Sequence, residues 1–554
     1  MQLILGRSGS GKTKYLLDDT AALARAGAAV VLLVPEQFSF ETERAILRLL
    51  GPRDMARVEV LSFTRLVDSF RRAYGGGGLE PVGEAERTLL MSRAVDAVSD
   101  SLEVYAKSAD SPEFVRELIA LSARCRQSGV RPERLRSVAG ELESGLLKDK
   151  SHELSLILEA YDTLVSTQYT EPLDALDRLA SALDEHPYFA GKTVAVDAFK
   201  SFTAQEYAVL SRILRQAEEV KITLCTDSVG EAGACSRFAV TSATARRLVR
   251  LAGSCGVPVR PAQYLREGVR FLEPELSALE ENLFEPSGFV FDGPAEHVTL
   301  YQAYNRAGEC DYTAREIKRL LREEGYRCRE IAVVMRDEEA YMRPLMGALG
   351  RYGVPLFEDR RSSVASQPLM VFVRCALKIA AGGFDTDSLM RYAKSGVCGV
   401  ERDDISVLEN YAVMWNIRYA QWKRPFERHP RGLETEFTDA DTALLGRIEQ
   451  TRLALVEPLL AFTARAREGS TGRTIATAIY ELLQRVGASE NLLRLARAFE
   501  SRGEVELALE QERVWDILMD LLGAFGTIYE NEQLGVQKFL SLFEIVVSLQ
   551  TLGN

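Results

Sequence analysis

Short apolar runs alternate with helix-period segments along the first part of the chain. Five such runs predict strands, at Gln2–Leu5, Ala29–Val34, Val58–Leu61, Thr193–Val196 and Val220–Cys225. Apolar residues spaced three and four apart between these runs predict helices over Lys14–Arg25, Phe40–Leu50 and Ala204–Gln216. Strands that alternate with helices indicate an α/β fold built on one parallel, doubly wound sheet.

The third and fourth predicted strands are separated by more than a hundred residues. This interval opens with four consecutive glycines at 75–78. It then carries helix-period segments at Glu84–Val98, Pro112–Ser128, Leu154–Ser166 and Pro172–Leu183. A structureless loop of this length is implausible inside a compact domain. The pattern therefore predicts a helical insertion within the first sheet, followed near 229–293 by a return connection with short helices.

A second alternation of strands and helices begins near residue 298. Its predicted strands are Val298–Ala303 and Glu330–Met335, and its predicted helices are Glu309–Glu324 and Tyr341–Tyr352. Two strands are too few to close a sheet, and the sequence beyond this unit is helix-rich. A charged stretch over Lys423–Asp441 is predicted to be a solvated loop. We therefore expect the chain to be the N-terminal part of a longer protein.

The first predicted strand runs into a glycine-rich motif. Residues 6–13 read Gly-Arg-Ser-Gly-Ser-Gly-Lys-Thr, which has the spacing G-x-x-x-x-G-K-[ST]. In such a loop the backbone N–H groups converge on phosphates, the lysine adds a point charge and the last hydroxyl ligates Mg²⁺. A chance glycine-rich turn is the alternative, but the strand before the motif and the helix after it favour a phosphate site. We predict that ATP and Mg²⁺ bind here, through Gly6, Ser8, Gly9, Ser10, Gly11, Lys12 and Thr13.

An aspartate follows the fourth predicted strand. A carboxylate at this place in a phosphate-loop protein is the expected Mg²⁺ partner, so we predict that Asp197 lies beside the metal. An ordinary strand-end cap is the alternative. The next residue is Ala198, where hydrolysing motors carry a glutamate that activates water. General-base help of roughly 10²–10⁴-fold is therefore missing at this position. An active motor would need another acid, such as Glu206 or Asp227.

Polar and aromatic residues follow the second and third predicted strands. The carboxyl ends of adjacent parallel strands are where ligands bind in such sheets. Phe63 or Phe38 is suited to stacking on a base, with Gln37, Ser62, Thr64 and Arg65 on phosphates. The alternative is that the phenylalanines belong to the core, because aromatic side chains are usually buried.

Composition narrows the class of protein. The chain has 554 residues, of which 46% are hydrophobic and 27% charged, as in globular proteins of roughly three to four domains. No stretch approaches the ~20 apolar residues of a membrane span, and no leader precedes the first strand, so we expect a cytoplasmic protein without a membrane partner.

The net charge of −12 argues against a basic coat on DNA but allows a local basic channel. The eight cysteines lack C-x-x-C spacing and the four histidines are scattered, which favours reduced thiols and no zinc site.

Four stretches in series resemble the AddB subunits of bacterial AddAB helicase–nucleases, which are relatives of superfamily 1 DNA helicases. They are the glycine-rich loop, V-P-E-Q-x-x-F-x-x-E from Val34, S-F-x-R-L from Ser62, and V-D-x-F-x-x-F-T-x-Q-E from Val196. The likeness continues through 305–310, 331–336 and 353–357 and covers essentially the whole chain.

The resemblance implies two RecA-like domains, each interrupted by a helical insertion. Residues 1–75 and 191–293 would form the first domain and 76–190 its insertion. Residues 294–367 would form part of the second domain, and 368–554 its truncated insertion. The resemblance also implies a subunit that works with AddA on double-strand DNA ends, scans DNA and takes part in recognition of the hotspot Chi.

The resemblance further implies which residues act. Gln37, Ser62 and Phe63 would face single-stranded DNA, beside an ATP site whose motor has decayed. An arginine near the γ-phosphate is expected at Arg306 or Arg336, unless each simply pairs with a carboxylate such as Glu309. Family members end in a nuclease domain with an iron–sulfur cluster held by cysteines. No cysteine set here has cluster spacing, so neither function is assigned to this chain.

Two other functions remain open from the sequence. One is an active superfamily 1 helicase that recruits its catalytic acid from elsewhere. The other is a phosphotransferase that binds a small acceptor and ignores DNA; the long insertions and the two α/β units argue against it.

Overall fold

The structure is a computed structural model that describes residues 1–75, 80–109, 111–143, 145–230, 236–284, 288–356, 362–433 and 436–552. The chain divides into two compact units, Met1–Ala73 with Leu179–Arg360 and Tyr74–Arg178 with Arg361–Asn554. Each unit is thus built from two separate stretches of sequence. The finer division into two RecA-like domains and two insertions stays a prediction.

A six-stranded parallel sheet forms the centre of the first unit. Its strands are β1 (Gln2–Gly6), β2 (Ala29–Leu33), β3 (Val58–Leu61), β4 (Lys192–Val196), β5 (Glu219–Cys225) and β6 (Gln263–Leu265). They lie in the order β3-β2-β4-β5-β1-β6. The five predicted strands are confirmed, and so is the α/β fold class. Sequence patterning missed β6 because this edge strand is only three residues long and largely exposed.

Helices connect and follow these strands. They are α1 (Lys12–Arg25), α2 (Glu36–Met55), α3 (Phe63–Tyr74), α4 (Ala204–Gln216), α5 (Ala239–Ser254), α6 (Pro274–Asn282), α7 (Arg306–Glu323) and α8 (Glu338–Tyr352). The helix α2 is interrupted at Gly51, which has φ 72° and precedes Pro52. Buried strand residues such as Ile4, Leu5 and Val194 are fully enclosed, as expected of a parallel sheet covered on both faces.

The second predicted α/β alternation forms its helices but not its strands. The predicted strands at Val298–Ala303 and Glu330–Met335 are wrong, because neither segment pairs with a strand in the described part of the chain. Leu300 and Val334 are 97% and 93% exposed. The two helices pack on each other through a small apolar cluster that includes Ala314 and Leu349. An apolar run becomes a strand only where another strand satisfies its backbone groups.

The second unit is helical. Its helices are Glu84–Ala97, Pro112–Gln127, Pro132–Glu141, Leu146–Gln168, Pro368–Gly382, Thr386–Lys394, Arg402–Met414, Asp439–Arg467, Gly472–Arg485, Ala488–Glu500, Val505–Ile528 and Val536–Leu549, and Ala175–Glu185 spans the boundary between the units. One hydrophobic cluster draws on both stretches of this unit. The Tyr529 hydroxyl donates to the Leu89 carbonyl at 3.3 Å, and Lys538 pairs with Asp96 at 2.8 Å. The two predicted insertions therefore share one core.

The charged stretch at Lys423–Asp441 is not simply solvated. Phe426, His429 and Asp441 are buried, because aromatic packing and the cap of the following helix hold them in place. Across the described residues, no helix combines the length and the apolar content that crossing a bilayer requires.

Candidate nucleotide-binding site

The glycine-rich loop joins β1 to α1 and has the backbone shape that its glycines allow. Gly9 and Gly11 have φ of 77° and 79°, in the left-handed region where a side chain is strained. Gly11 is also the N-cap of α1, so the amino end of that helix opens onto the loop. A Cβ atom at Gly6 would lie 2.7 Å from the Leu265 carbonyl oxygen. The loop is therefore compact, and it lies at the positive end of a helix dipole.

Lys12 lies within this loop and is held by uncharged acceptors. Its Nζ donates to the carbonyl oxygens of Gly6 and Arg7, at 2.9 Å and 2.6 Å. Burial lowers the pKa of Lys12, and the nearby Cys225 thiol and Asp197 carboxylate partly oppose this shift. No carboxylate of a described residue forms an ion pair with the ammonium group. Its charge is thus available to an anion.

The hydroxyl groups of the loop differ in their surroundings. Ser10 is only 7% exposed, and its Oγ has no hydrogen-bond partner among the described residues. Ser8 and Thr13 are exposed. A buried hydroxyl without a partner costs roughly 1–3 kcal/mol, which an incoming acceptor such as a phosphate oxygen would recover. The loop residues therefore fit a nucleotide's phosphates.

Asp197 follows β4 and is buried, 6% exposed. The strand β5 lies between β4 and β1, and its Thr223 hydroxyl donates to Asp197 Oδ1. Within the described chain the Asp197 side chain accepts no backbone N–H, so the strand-end-cap alternative finds no support. Carboxylate and hydroxyl oxygens are what Mg²⁺ prefers, so Asp197 and Thr13 fit the metal.

The residue after Asp197 has an unusual backbone. Ala198 has φ 65° and an exposed side chain. Of the two alternative acids, Glu206 accepts a hydrogen bond from the Thr203 backbone N–H at 2.7 Å, as part of the capping box of α4. Asp227 is exposed. Glu206 is thus engaged in its helix cap, which leaves Asp227 as the freer of the two.

Two of the predicted DNA contacts meet at one carboxylate. The Ser62 hydroxyl donates to Glu36 Oε2, and Arg65 Nε lies 3.4 Å from Glu36 Oε1. Arg65 also lies 3.8 Å from Glu43. Gln37 is exposed in the first turn of α2. The sequence placed these residues at adjacent strand ends but gave no sign that Glu36 links them.

Phe63 does not present a stacking surface. Its side chain is buried, and its ring packs edge-on against Phe199 and Phe202 at centroid distances of 5.7 Å and 6.4 Å. The core interpretation of Phe63 therefore replaces the prediction that it stacks on a base. Two exposed aromatic side chains lie instead on α2, which follows the neighbouring strand β2. They are Phe38 and Phe40, at 40% and 69% exposure.

Arg306 and Arg336 remain equal candidates for the arginine that is expected near the γ-phosphate. Arg306 lies at the start of α7, with its guanidinium carbon 5.8 Å from the centre of the Tyr341 ring. Arg336 lines an open cavity of about 800 Å³ together with Glu309. Glu309 accepts a hydrogen bond from the Tyr341 hydroxyl at 2.9 Å. Neither arginine forms an ion pair with a described carboxylate.

The described cysteines are free thiols, and no three of them converge on one point. The described residues therefore offer no iron–sulfur ligand set.

Comparisons with known proteins add a family to this geometry. A protein-family model described as "ADDB, N-terminal" matches residues 3–280. A protein of Symbiobacterium thermophilum is 35% identical over 94% of this chain and 47% of its own length, and one of Moorella thermoacetica is 33% identical over 98% and 49%. A third, of Acetivibrio thermocellus, is 30% identical over 98% and 48%. All three are named as a subunit of an ATP-dependent helicase/deoxyribonuclease. The chain spans about half the length of these curated relatives.

Proposed function

This chain belongs to the AddB family, and from that premise we propose that its first unit binds ATP with Mg²⁺ inside a subunit that processes double-strand DNA breaks. Gly6, Ser8, Gly9, Ser10, Gly11 and Lys12 would hold the phosphates, and Thr13 and Asp197 the metal. The metal would neutralise phosphate charge. The subunit would bind single-stranded DNA beside this site and would not turn ATP over by itself.

One observation carries the nucleotide proposal. The loop presents an ammonium group held only by carbonyl oxygens, beside a buried hydroxyl that lacks a described partner. Both groups lie at the amino end of α1, where the helix dipole also favours an anion. A loop with a purely structural role would gain nothing from leaving a cation and a hydroxyl without anionic or acceptor partners.

Nucleotide binding is tested by titrating a fluorescent ATP analogue with Mg²⁺ against the whole chain. Lys12→Ala should weaken binding by at least about tenfold, because charge-assisted contacts with phosphate contribute roughly 1.5–3 kcal/mol. Lys14→Ala is the matched control, since Lys14 is an exposed lysine two residues further along. It should change affinity by less than about twofold. Equal affinity in wild type and Lys12→Ala would refute the proposal.

The inactive motor is a separate part of the proposal, supported by Ala198 in place of an acid and by the engagement of Glu206 in its helix cap. Phosphate release by the chain alone should stay at background with or without DNA. If the motor has decayed, Ala198→Glu is the substitution that should raise hydrolysis. An active helicase that uses Asp227 would instead show strong DNA-stimulated turnover, lost in Asp227→Asn.

The proposed binding of single-stranded DNA is supported by exposed side chains on α2. Exposed Gln37, Phe38 and Phe40 on α2, with Arg65 nearby, offer polar groups and aromatic faces to a single strand. Phe40→Ala should weaken oligonucleotide binding in an anisotropy titration, because stacking contributes about 1–3 kcal/mol per base. Buried Phe63 should matter through folding alone. An absence of oligonucleotide binding would favour the phosphotransferase alternative.

The proposed partner is an AddA-like helicase–nuclease subunit, with scanning of DNA and recognition of Chi as the shared task. Copurification of this chain with that subunit, followed by binding to DNA ends with and without Chi, tests this part. Binding that does not depend on the partner or on Chi would remove it.

A further inference from the structure

A short segment that sequence patterning passed over lies against the glycine-rich loop. Residues 266–271, here called the strap, follow the edge strand β6, which pairs with β1 through Ile4 and Leu5. The backbone N–H groups of Val269 and Arg270 both donate to the Gly9 carbonyl oxygen, at 2.9 Å and 3.1 Å. The strap is therefore bonded directly to the loop at its centre.

The side chains of the strap also touch the loop. A Cβ atom at Gly9 would lie 2.9 Å from the Arg270 Cβ and 3.1 Å from the Phe271 ring. A Cβ atom at Gly11 would lie 3.1 Å from Val269 Cγ2. Glycine thus suits both positions for two reasons. It adopts a positive φ without strain, and its lack of a side chain lets the strap approach.

Arg270 brings a second positive charge close to Lys12. Its backbone N–H bonds to the Gly9 carbonyl oxygen at 3.1 Å, so Arg270 and Lys12 are carried on two segments that touch at the loop. Among the described residues, Arg270 has no hydrogen-bond or ion-pair partner for its side chain. Arg7, also in the loop region, differs in this respect, because it pairs with Glu280 at 3.1 Å.

Two neighbouring cations repel each other, and an anion between them removes that cost. The buried Ser10 hydroxyl, which lacks a described partner, adds an independent donor in the same loop. We propose that Arg270 is a phosphate-binding residue of the nucleotide site, carried by the strap and acting beside Lys12. The proposal rests on the nucleotide site described above and extends it to a residue outside the glycine-rich motif. The planar guanidinium can engage two phosphate oxygens at once, which a lysine cannot.

The test measures binding of N-methylanthraniloyl-ATP with Mg²⁺ to the whole chain by fluorescence anisotropy. Arg270→Ala should weaken binding by at least about tenfold, through loss of a charge-assisted contact. Arg270→Lys should restore part of the loss, because it keeps the charge without the fork. The strap's backbone bonds to Gly9 do not need the Arg270 side chain, so the variant should keep the wild-type unfolding midpoint.

Arg266→Ala is the matched control. Arg266 is an exposed arginine in the same strap, and among the described residues its backbone N–H makes no bond to the Gly9 carbonyl oxygen. This variant should bind within about twofold of wild type. Equal losses in the two arginine variants would point to general electrostatic attraction and would overturn the proposal.

The outcomes separate the two levels of inference. If wild type binds, Lys12→Ala loses binding and Arg270→Ala stays within about twofold of wild type, only the role of Arg270 fails. If wild type does not bind, or if Lys12→Ala binds as well as wild type, the nucleotide site itself fails and the role of Arg270 with it.

Discussion

Two stretches of the first unit have the same alternation of apolar runs and helices but different outcomes. The first stretch comprises residues 2–61 together with 192–265, and the second comprises residues 298–352. Residues 2–61 and 192–265 supply six strands that pair in one parallel sheet. Residues 298–352 supply two helices that pack together, with extended segments that pair with no described strand. Leu5 of the sheet is fully buried, whereas Leu300 is 97% exposed.

The difference shows which part of a fold is local. A helix satisfies its backbone groups within its own segment, so α7 and α8 form with a modest apolar contact between them. A strand depends on neighbours that are distant in sequence, and its apolar pattern predicts only that it is suited to burial. The candidate nucleotide site lies in the stretch where those neighbours are present.

The largest expected effect concerns burial of matched leucines. Leu5→Ala should lower the free energy of unfolding by about 2–5 kcal/mol, because it leaves a cavity beneath the glycine-rich loop. Leu300→Ala removes the same atoms from an exposed position, so its effect should stay within about 0.5 kcal/mol. Urea titration of both variants checks the pair. A large loss in Leu300→Ala would mean that residues 298–303 are buried in solution.

Removing a helix cap should lower stability by a similar amount in the two stretches. The Thr203 hydroxyl caps α4, and the Asn305 side chain caps α7 by accepting from Gly308 N–H at 2.8 Å. Replacing either residue with alanine should cost about 0.5–2 kcal/mol. Thermal unfolding of the two variants measures this. If Asn305→Ala has no effect while Thr203→Ala does, the helices of the second stretch are less formed than the structure shows.

The smallest expected effect concerns the strained position after β4. Ala198 has φ 65°, a conformation that costs an alanine about 1 kcal/mol and a glycine almost nothing. Ala198→Gly should therefore raise stability by up to about 1 kcal/mol, less the entropy that glycine adds to the unfolded chain. Ala332→Gly, at an exposed position outside the left-handed region, should give no gain. A loss in Ala198→Gly would show that the position is not strained in solution.

More of the fold than of the site can be predicted from the sequence. Short apolar runs identify five strands, and the glycine spacing alone locates the loop. The contacts that complete the site are not predictable, because a contact between segments distant in sequence leaves no local pattern in either segment. Thr223 reaches Asp197 from the next strand, Glu36 links Ser62 to Arg65, and the strap reaches Gly9 from residues 266–271. Phe63 departs from its prediction because sequence does not distinguish a buried aromatic ring from an exposed one at a strand end.

Hydrogen exchange of the whole chain, with and without a non-hydrolysable ATP analogue and Mg²⁺, tests the central claim most directly. We expect the analogue to slow exchange at the backbone amides of residues 8–13 and 266–271, where the loop and the strap meet. We also expect fast and unchanged exchange at 298–303 and 331–335, which pair with no strand in the described chain. Unchanged exchange at the loop under saturating analogue, or slowing confined to the second stretch, would contradict the claim.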